Sequence, residues 1–466
     1  MARPSHHLRL RAAAAFAAAA FSLCLAPHAP AEMPLSREFW RDPSFTRSFM
    51  GLFTPENRIE PFVSAEEKAI LSEVARLMAG GDREPAIRRL RNESLSSSSA
   101  ALQFNLGILL FQEDGLDEAA DALTKALELY PDFRRAHASL GAVHMRRDDL
   151  EAALPFLQRA VELGDHDGLT LGLLGYCRLQ QNHYASALQA YRLAQLSMPD
   201  NPDWQAGEAE CLRQTGDHAA AVRLFSEVLA NRPGEHETWV RLASALMSLE
   251  RHDQAAAALE VVRRLDRLTA PDTLLLGQLY LQLQSPSLAL ARFREAIAAQ
   301  PPPEPAAAIE AADLLSQALA WPEAAELLEK IREHFPTLES DPQTSSALDR
   351  LDALVAMETG EPAVAVPQLE AIVSRDPMDG RVLVALGRYF AAQDNVVEAE
   401  IRLQQAARVS EYETAALREL GQLHVSQGDY TTALRHLRRA HDLQPGESLS
   451  RYIHAIERAE AAAAGF

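Results

Sequence analysis

Apolar side chains recur along this chain three and four residues apart, in short blocks that come in pairs. Between residues 100 and 133, Leu102, Leu106, Leu109 and Leu110 mark one stripe of a helix. Glu113-Asp114-Gly115 interrupts it with turn-forming residues. Ala119, Leu123, Ala126 and Leu127 then mark the stripe of a second helix. Pro131 ends that helix, because proline lacks an N–H and clashes with the preceding turn. The pair then repeats. Gly107, Gly141, Gly175, Ala209, Ala243, Gly277, Ala312, Ala353, Gly387 and Gly421 are each followed twelve residues later by an Ala, from Ala119 to Ala433. Seven residues further on stands a small or branched apolar residue, from Ala126 to Ala440. Most repeats begin 34 residues after the last. A fixed period of this size predicts a solenoid of stacked helix pairs, each of which packs only on its neighbours. The small residues allow the paired backbones to approach closely.

The turns keep one chemistry throughout, for example Asp148-Asp149, Gly216-Asp217, Asp394-Asn395 and Gly428-Asp429. Proline closes seven of the ten repeats, and Asp165, Arg267 and Glu411 stand in the other three. Residues 270–303 carry Leu276-Gly277, Tyr280, Ala289, Phe293, Ala296 and Pro301 in order. On these residues the chain resembles the tetratricopeptide repeat family, strongly over 100–447 and weakly over 64–95. The resemblance implies an all-α, right-handed superhelical solenoid of antiparallel helix pairs. About ten repeats are expected, with a degenerate first repeat around Val74, Ala86 and Leu90 and a C-terminal capping helix.

The expected organisation is a signal peptide over 1–31, a lead segment over 32–63 and the degenerate repeat over 64–99. An array over 100–303 follows, then repeats with register breaks over 304–379, the last repeats over 380–446 and the cap over 447–466. The breaks are a proline run at Pro301-Pro302-Pro303-Glu304-Pro305 and about seven extra residues around Ser340-Asp341-Pro342. These two places are the candidates for a bend. The lead segment sets four prolines among Phe39, Trp40, Phe45, Phe49, Phe53 and Phe62. It covers the first repeat, serves as a docking motif for a partner, or is disordered.

Charge and targeting narrow the partners. The formal charge is −20, and loss of Arg3, Arg9 and Arg11 with the leader takes it to about −23. Nucleic acid and anionic membrane surfaces both need a basic face, so neither is an expected partner. The apolar run Ala12 to Leu25 is too short for a stable membrane span. With the basic start and Ala29-Pro30-Ala31 it reads as a bacterial secretory signal cut before Glu32. The mature chain then has no transmembrane segment and lies in the periplasm or outside the cell. Leu23 stands where lipidation of Cys24 would need a small residue, so a lipoprotein is not expected. Cys177 and Cys211 sit one repeat apart, at an interhelical spacing longer than a disulfide tolerates. They are expected to be buried free thiols.

No catalytic or metal constellation emerges. His236-Glu237 begins a metalloprotease-like motif, but Val240 replaces the second histidine. His137, His144, His424 and His436 read as packing or surface residues. No enzyme activity, cofactor or metal is expected. By resemblance, the first helix of each repeat lines a concave groove. That groove would offer Phe104, Ile108, Phe111, Tyr176 and Leu179 early, and Arg350, Arg381, Arg388 and Arg418 late. The arginines could instead pair with Asp313, Asp349, Asp352 or Glu419. The expected function is a non-catalytic scaffold in the bacterial envelope that holds an extended or helical partner segment, in assembly, secretion or energy-transduction machinery. The alternative is a solenoid that binds polysaccharide or a peptidoglycan fragment for polymer export, using aromatic platforms such as Tyr176 and Phe111. The family's chaperone-tail clamp of Lys, Asn and Arg is absent from the fifth positions of the early repeats, which are Phe104, Ala138, Gly172, Ala206 and Val240.

Overall fold

The computed structural model describes residues 60–80, 82–96, 98–336 and 341–464. These residues form 23 α-helices and no strand. The expected signal peptide, Cys24, the leading aromatics up to Phe53 and Ser340 lie outside the described residues. The degenerate first repeat is a complete pair, Ala65–Ala79 and Arg83–Ser96, with Val74, Ala86 and Leu90 buried. It starts at a capping box. The Ser64 hydroxyl accepts from the Glu67 N–H at 3.2 Å, and the Ser64 N–H donates to the Glu67 carboxylate at 2.6 Å. Ten further pairs follow, from Ala100–Gln112 with Leu116–Leu129 to Glu413–Ser426 with Tyr430–Leu443. A single helix, Glu447–Ala464, ends the described chain and buries Leu449, Ile453 and Ile456 against the tenth pair.

The chain divides into two compact units, one ending at Arg267 and one beginning at Leu268. The first holds the degenerate pair and repeats one to five. Its largest core runs from Val74 to Cys211 without interruption. Trp204, Tyr191, Phe133 and Phe225 are fully enclosed in it or beside it. The second unit holds repeats six to ten and the last helix, around three apolar clusters centred on Phe293, Leu369 and Leu437.

In six of the ten pairs, one large side chain of the second helix fills the space left by a glycine of the first, sixteen residues earlier. A methyl carbon built on Gly107 would stand 2.7 Å from Leu123, and one on Gly141 2.7 Å from Leu157. On Gly277 it would meet the Phe293 ring at 2.3 Å, and on Gly421 it would meet Leu437 at 2.5 Å. The period in the sequence is therefore a steric one. The glycine is small because the leucine or ring is already there.

Five of the extra residues of the eighth repeat lengthen its first helix. Its first helix, Pro342–Thr359, has 18 residues, where the preceding first helix, Pro305–Gln317, has 13. Asp341 caps it by accepting from the Thr344 N–H at 3.0 Å.

Every one of the ten pairs turns through one left-handed residue. Asp114, Asp148, Asn182, Glu250, Gln284, Leu319 and Asp394 have φ between 55° and 66°, and Gly216, Gly360 and Gly428 take the same place. Asp and Asn tolerate this region and Gly adopts it freely, but Leu does not. Leu319 is 50% exposed, so its side chain gains little in return.

Two stability measurements test these features. Gly277→Ala should destabilise the chain by about 1–3 kcal/mol through overpacking. Gly175→Ala faces Tyr191 at a wider 3.1 Å and should change stability by less than about 1 kcal/mol, since alanine also favours helix. Separately, Leu319→Gly should stabilise by about 0.5–1 kcal/mol by relieving the left-handed strain. Chemical denaturation followed by circular dichroism reads all three, and an unchanged midpoint for Gly277→Ala would contradict the steric account.

Candidate functional site: the first-helix face

First helices of successive repeats stand side by side within each unit, so residues at fixed places in the repeat form rows. The aromatic and apolar residues expected to line the early groove do not present free surface. Phe104, Ile108, Phe111 and Tyr176 are only 2%, 4%, 3% and 8% exposed, and Leu179 is buried with them. Phe104 packs on Phe133 with ring centres 4.8 Å apart, and the Arg135 guanidinium lies 5.1 Å over the Phe104 ring. Phe111 carries Arg146 over its face at 5.2 Å. The physical reason is volume. These side chains sit where adjacent helices meet, and the core absorbs them.

The first unit buries charge beside these residues as well. In repeat four, Glu210 binds Arg213 through two contacts, Nη2 to Oε1 at 2.7 Å and Nε to Oε2 at 2.9 Å. Gln214 donates to the same carboxylate at 2.9 Å. From repeat five, Arg241 approaches Glu210 at 3.9 Å and Glu237 at 3.6 Å, and Arg213 reaches the Ser244 hydroxyl at 3.3 Å. Glu210 and Arg241 are 8% and 7% exposed. Burial lowers the Arg241 pKa from its ordinary value, against the pull of Glu210 and Glu237. Burial also acts against the charge of Arg213, but its hydrogen bonds to Glu210 prevail and raise it. Sequence reasoning missed this cluster, although its own register reaches it. Glu210 is one repeat length after Tyr176, and Arg213 is three after Phe111.

In the second unit the expected arginines are found on first helices, and three are paired. Arg350 lies 3.5 Å from Asp379, Arg388 lies 2.7 Å from Glu419, and Arg381 binds Asp313 and the Ser316 hydroxyl. Arg350 and Arg388 keep 42% and 52% of their side chains exposed. The Nε of Arg418 is buried without a hydrogen bond. Asp352 is taken by Arg332.

Cys177 and Cys211 are buried free thiols, as expected, and burial pushes both up to about 12. Thiols at such values stay protonated at neutral pH, so neither supplies a nucleophilic thiolate. His144 stacks on Phe156 and His424 on His436, both at 5.5 Å, so these histidines serve packing. Among the described residues, no group of three or more His, Cys, Asp or Glu side chains could hold a metal ion. Among the same residues, no helix is long and apolar enough to cross a membrane.

Comparison with known families agrees with this architecture. Tetratricopeptide repeat models match residues 104–167, 173–236, 274–339 and 351–416, and two others match 212–276 and 416–449. The chain belongs to the tetratricopeptide repeat family. Members of this family generally act as protein–protein interaction scaffolds. The chain is 30% identical over 137 residues to Superkiller protein 3 of Schizosaccharomyces pombe, covering 28% of this chain and 10% of that relative. The chain thus spans about a tenth of that relative's length. Among solved structures it is similar to YrrB, a repeat protein described as having an unusual peptide-binding site, at 19% identity and TM-score 0.35 over 39% of this chain and 92% of that one. It is also similar to yeast Tom70, at 14% identity and TM-score 0.36 over 84% and 96%. Pseudomonas aeruginosa PilF matches at 19% identity and TM-score 0.36 over 42% and 90%. These likenesses concern fold alone.

Removing one member of the buried cluster should be costly. Glu210→Ala leaves Arg241 and Arg213 without their shared carboxylate and should destabilise by about 3–5 kcal/mol. Arg388→Ala breaks an exposed pair and should cost less than about 1 kcal/mol. Urea denaturation of both variants checks the contrast, and equal midpoints would remove the cluster's structural role.

Proposed function

We propose that this protein is a non-catalytic scaffold of the bacterial cell envelope, exported by its N-terminal signal, that holds a segment of a protein partner on its first-helix face. Family membership supports the scaffold role. The basic start, the short apolar run and Ala29-Pro30-Ala31 support export. The observation that carries a binding role is the state of the second unit's arginines. Arg350 and Arg388 sit half-exposed on first helices, each beside an acid it can exchange for another carboxylate. Arg418 stands on the next first helix of the same unit, with its Nε buried. A segment with carboxylates in step with the repeats would fit this row. Partner choice then depends on charge register more than on apolar anchors, because the apolar residues are already used for packing. The glycan reading loses its basis, since Phe111 and Tyr176 are buried and offer no flat platform.

The test is cross-linked capture from the native envelope fraction. The parent is compared with a variant carrying Arg350→Ala, Arg388→Ala and Arg418→Ala. Phe104 and Phe111 stay in place, because their loss would open the core. A protein cross-linked to the parent should be reduced about tenfold or more with a variant of equal helicity. Equal capture by both would overturn the arginine row, and absence of the protein from the envelope fraction would overturn export.

A further inference from the structure

The described chain begins with a contact that the repeats alone do not predict. Glu60 sits at the N-terminal end of the second repeat's first helix, Arg134–Arg146, and only 7% of its side chain is exposed. Its carboxylate lies 3.6 Å from the Arg134 guanidinium, and Arg135 attracts it as well. Pro61 and Val63 are also buried, whereas Phe62 between them is 86% exposed. This alternation is that of an extended segment laid against a surface.

The surface is built before Glu60 arrives. Stacking on Phe104 fixes Arg135. Arg134 reaches toward the Gly164 carbonyl at 3.5 Å. The acids nearby are engaged locally: Asp165 accepts from the Thr170 hydroxyl at 3.1 Å and the Asp167 N–H at 3.0 Å, and Asp167 caps the next helix through the Leu169 N–H at 3.2 Å. The same arginines border an open cleft of about 220 Å³ whose wall continues through Ser139, Asp165 and Thr170. That cleft extends the site beyond the space one glutamate side chain fills.

We propose that this place on repeats two and three is a binding site for an acidic peptide segment, and that residues 60–63 occupy it as an internal plug which a partner segment must displace. The inference rests on the scaffold reading only for the partner. The plug itself can be tested without one. Such a competitor needs an acid at the Glu60 position and compact apolar residues one and three places later. A tethered plug acts at an effective concentration in the millimolar range, so even a weak contact excludes a free segment at micromolar concentration.

The plug is also proton-linked. Burial raises the Glu60 carboxyl above its ordinary value and Asp165 adds to that, while Arg135 and Arg134 oppose it. The docked carboxyl therefore holds its proton more tightly than the undocked one. Docking is strongest at pH below the ordinary carboxyl range and weakens as pH rises through the raised value.

A labelled peptide of residues 54–66 provides the probe, and anisotropy provides the readout. The full chain, its Glu60→Ala variant and the Glu60→Ala/Arg134→Ala double variant are titrated with it, each checked for equal helicity. The Glu60→Ala chain should bind the peptide at least tenfold more tightly than the parent, because its own plug is weakened. The double variant should lose most of that gain. Deuterium uptake at residues 60–64 of the full chain should rise in Arg134→Ala and in Glu60→Ala. Equal binding by parent and Glu60→Ala, or no binding by either, overturns the plug. If the peptide binds as expected but no envelope protein is captured, the plug stands and the scaffold reading falls.

Discussion

Everything in this chain depends on how closely two helices can approach. A glycine or alanine in the first helix of each pair leaves a gap one side chain deep, and a residue sixteen positions later fills it. Leu123 fills the gap at Gly107, Tyr191 that at Gly175 and Phe293 that at Gly277. Interiors are packed as densely as crystals, so this single fit sets the distance between helices and the angle at which the next pair is added. Tyr191 shows how the constraint spreads. It also packs on Gly207 of the following repeat, where a methyl carbon would meet its ring at 2.3 Å. One side chain thus fixes the spacing within its own pair and the seat of the next.

This packing decides what remains for binding. A repeat of this length has few large apolar side chains, and close stacking buries most of them. Phe104, Ile108 and Phe111 occupy register positions that a groove could use, yet the neighbouring helices bury them. Of the charged groups on first helices, Arg350 and Arg388 stay about half-exposed, whereas Glu210 and Arg241 are buried with the apolar residues. A chain with a strong negative charge thereby carries ordered guanidinium groups at chosen places, each held by a neighbouring acid.

The helix pairs were legible because glycine, alanine and proline act locally, through sterics that the sequence displays directly. The same holds for Cys177 and Cys211, whose spacing argued against a bridge and which are free thiols. The site was much less legible. Register tells which helix face a residue occupies, but not that Tyr176 and Glu210, which share one register place, are both buried. Nor does it show that Arg241 of a later repeat acts on both. The left-handed turn position was half visible. Asp148 and Asn182 announce it, but Leu319 and Glu250 adopt the same geometry only because the two flanking helices are fixed.

Glu60 brings these arguments together. Arg135 is partly buried and tethered by Phe104, so burial lowers its pKa and Glu60 is the main charge restoring it. Burying a guanidinium without a carboxylate is expensive, and burying a carboxylate beside Asp165 is expensive too. Each group is therefore held by the other at a position neither would favour alone. A contact of that kind stabilises only modestly, and a partner that brings its own acid and relieves Glu60 of its burial can replace it. The close packing that removed apolar anchors from this face thus left it with an exchangeable ion pair, which is a more selective means of recognition than an open apolar groove.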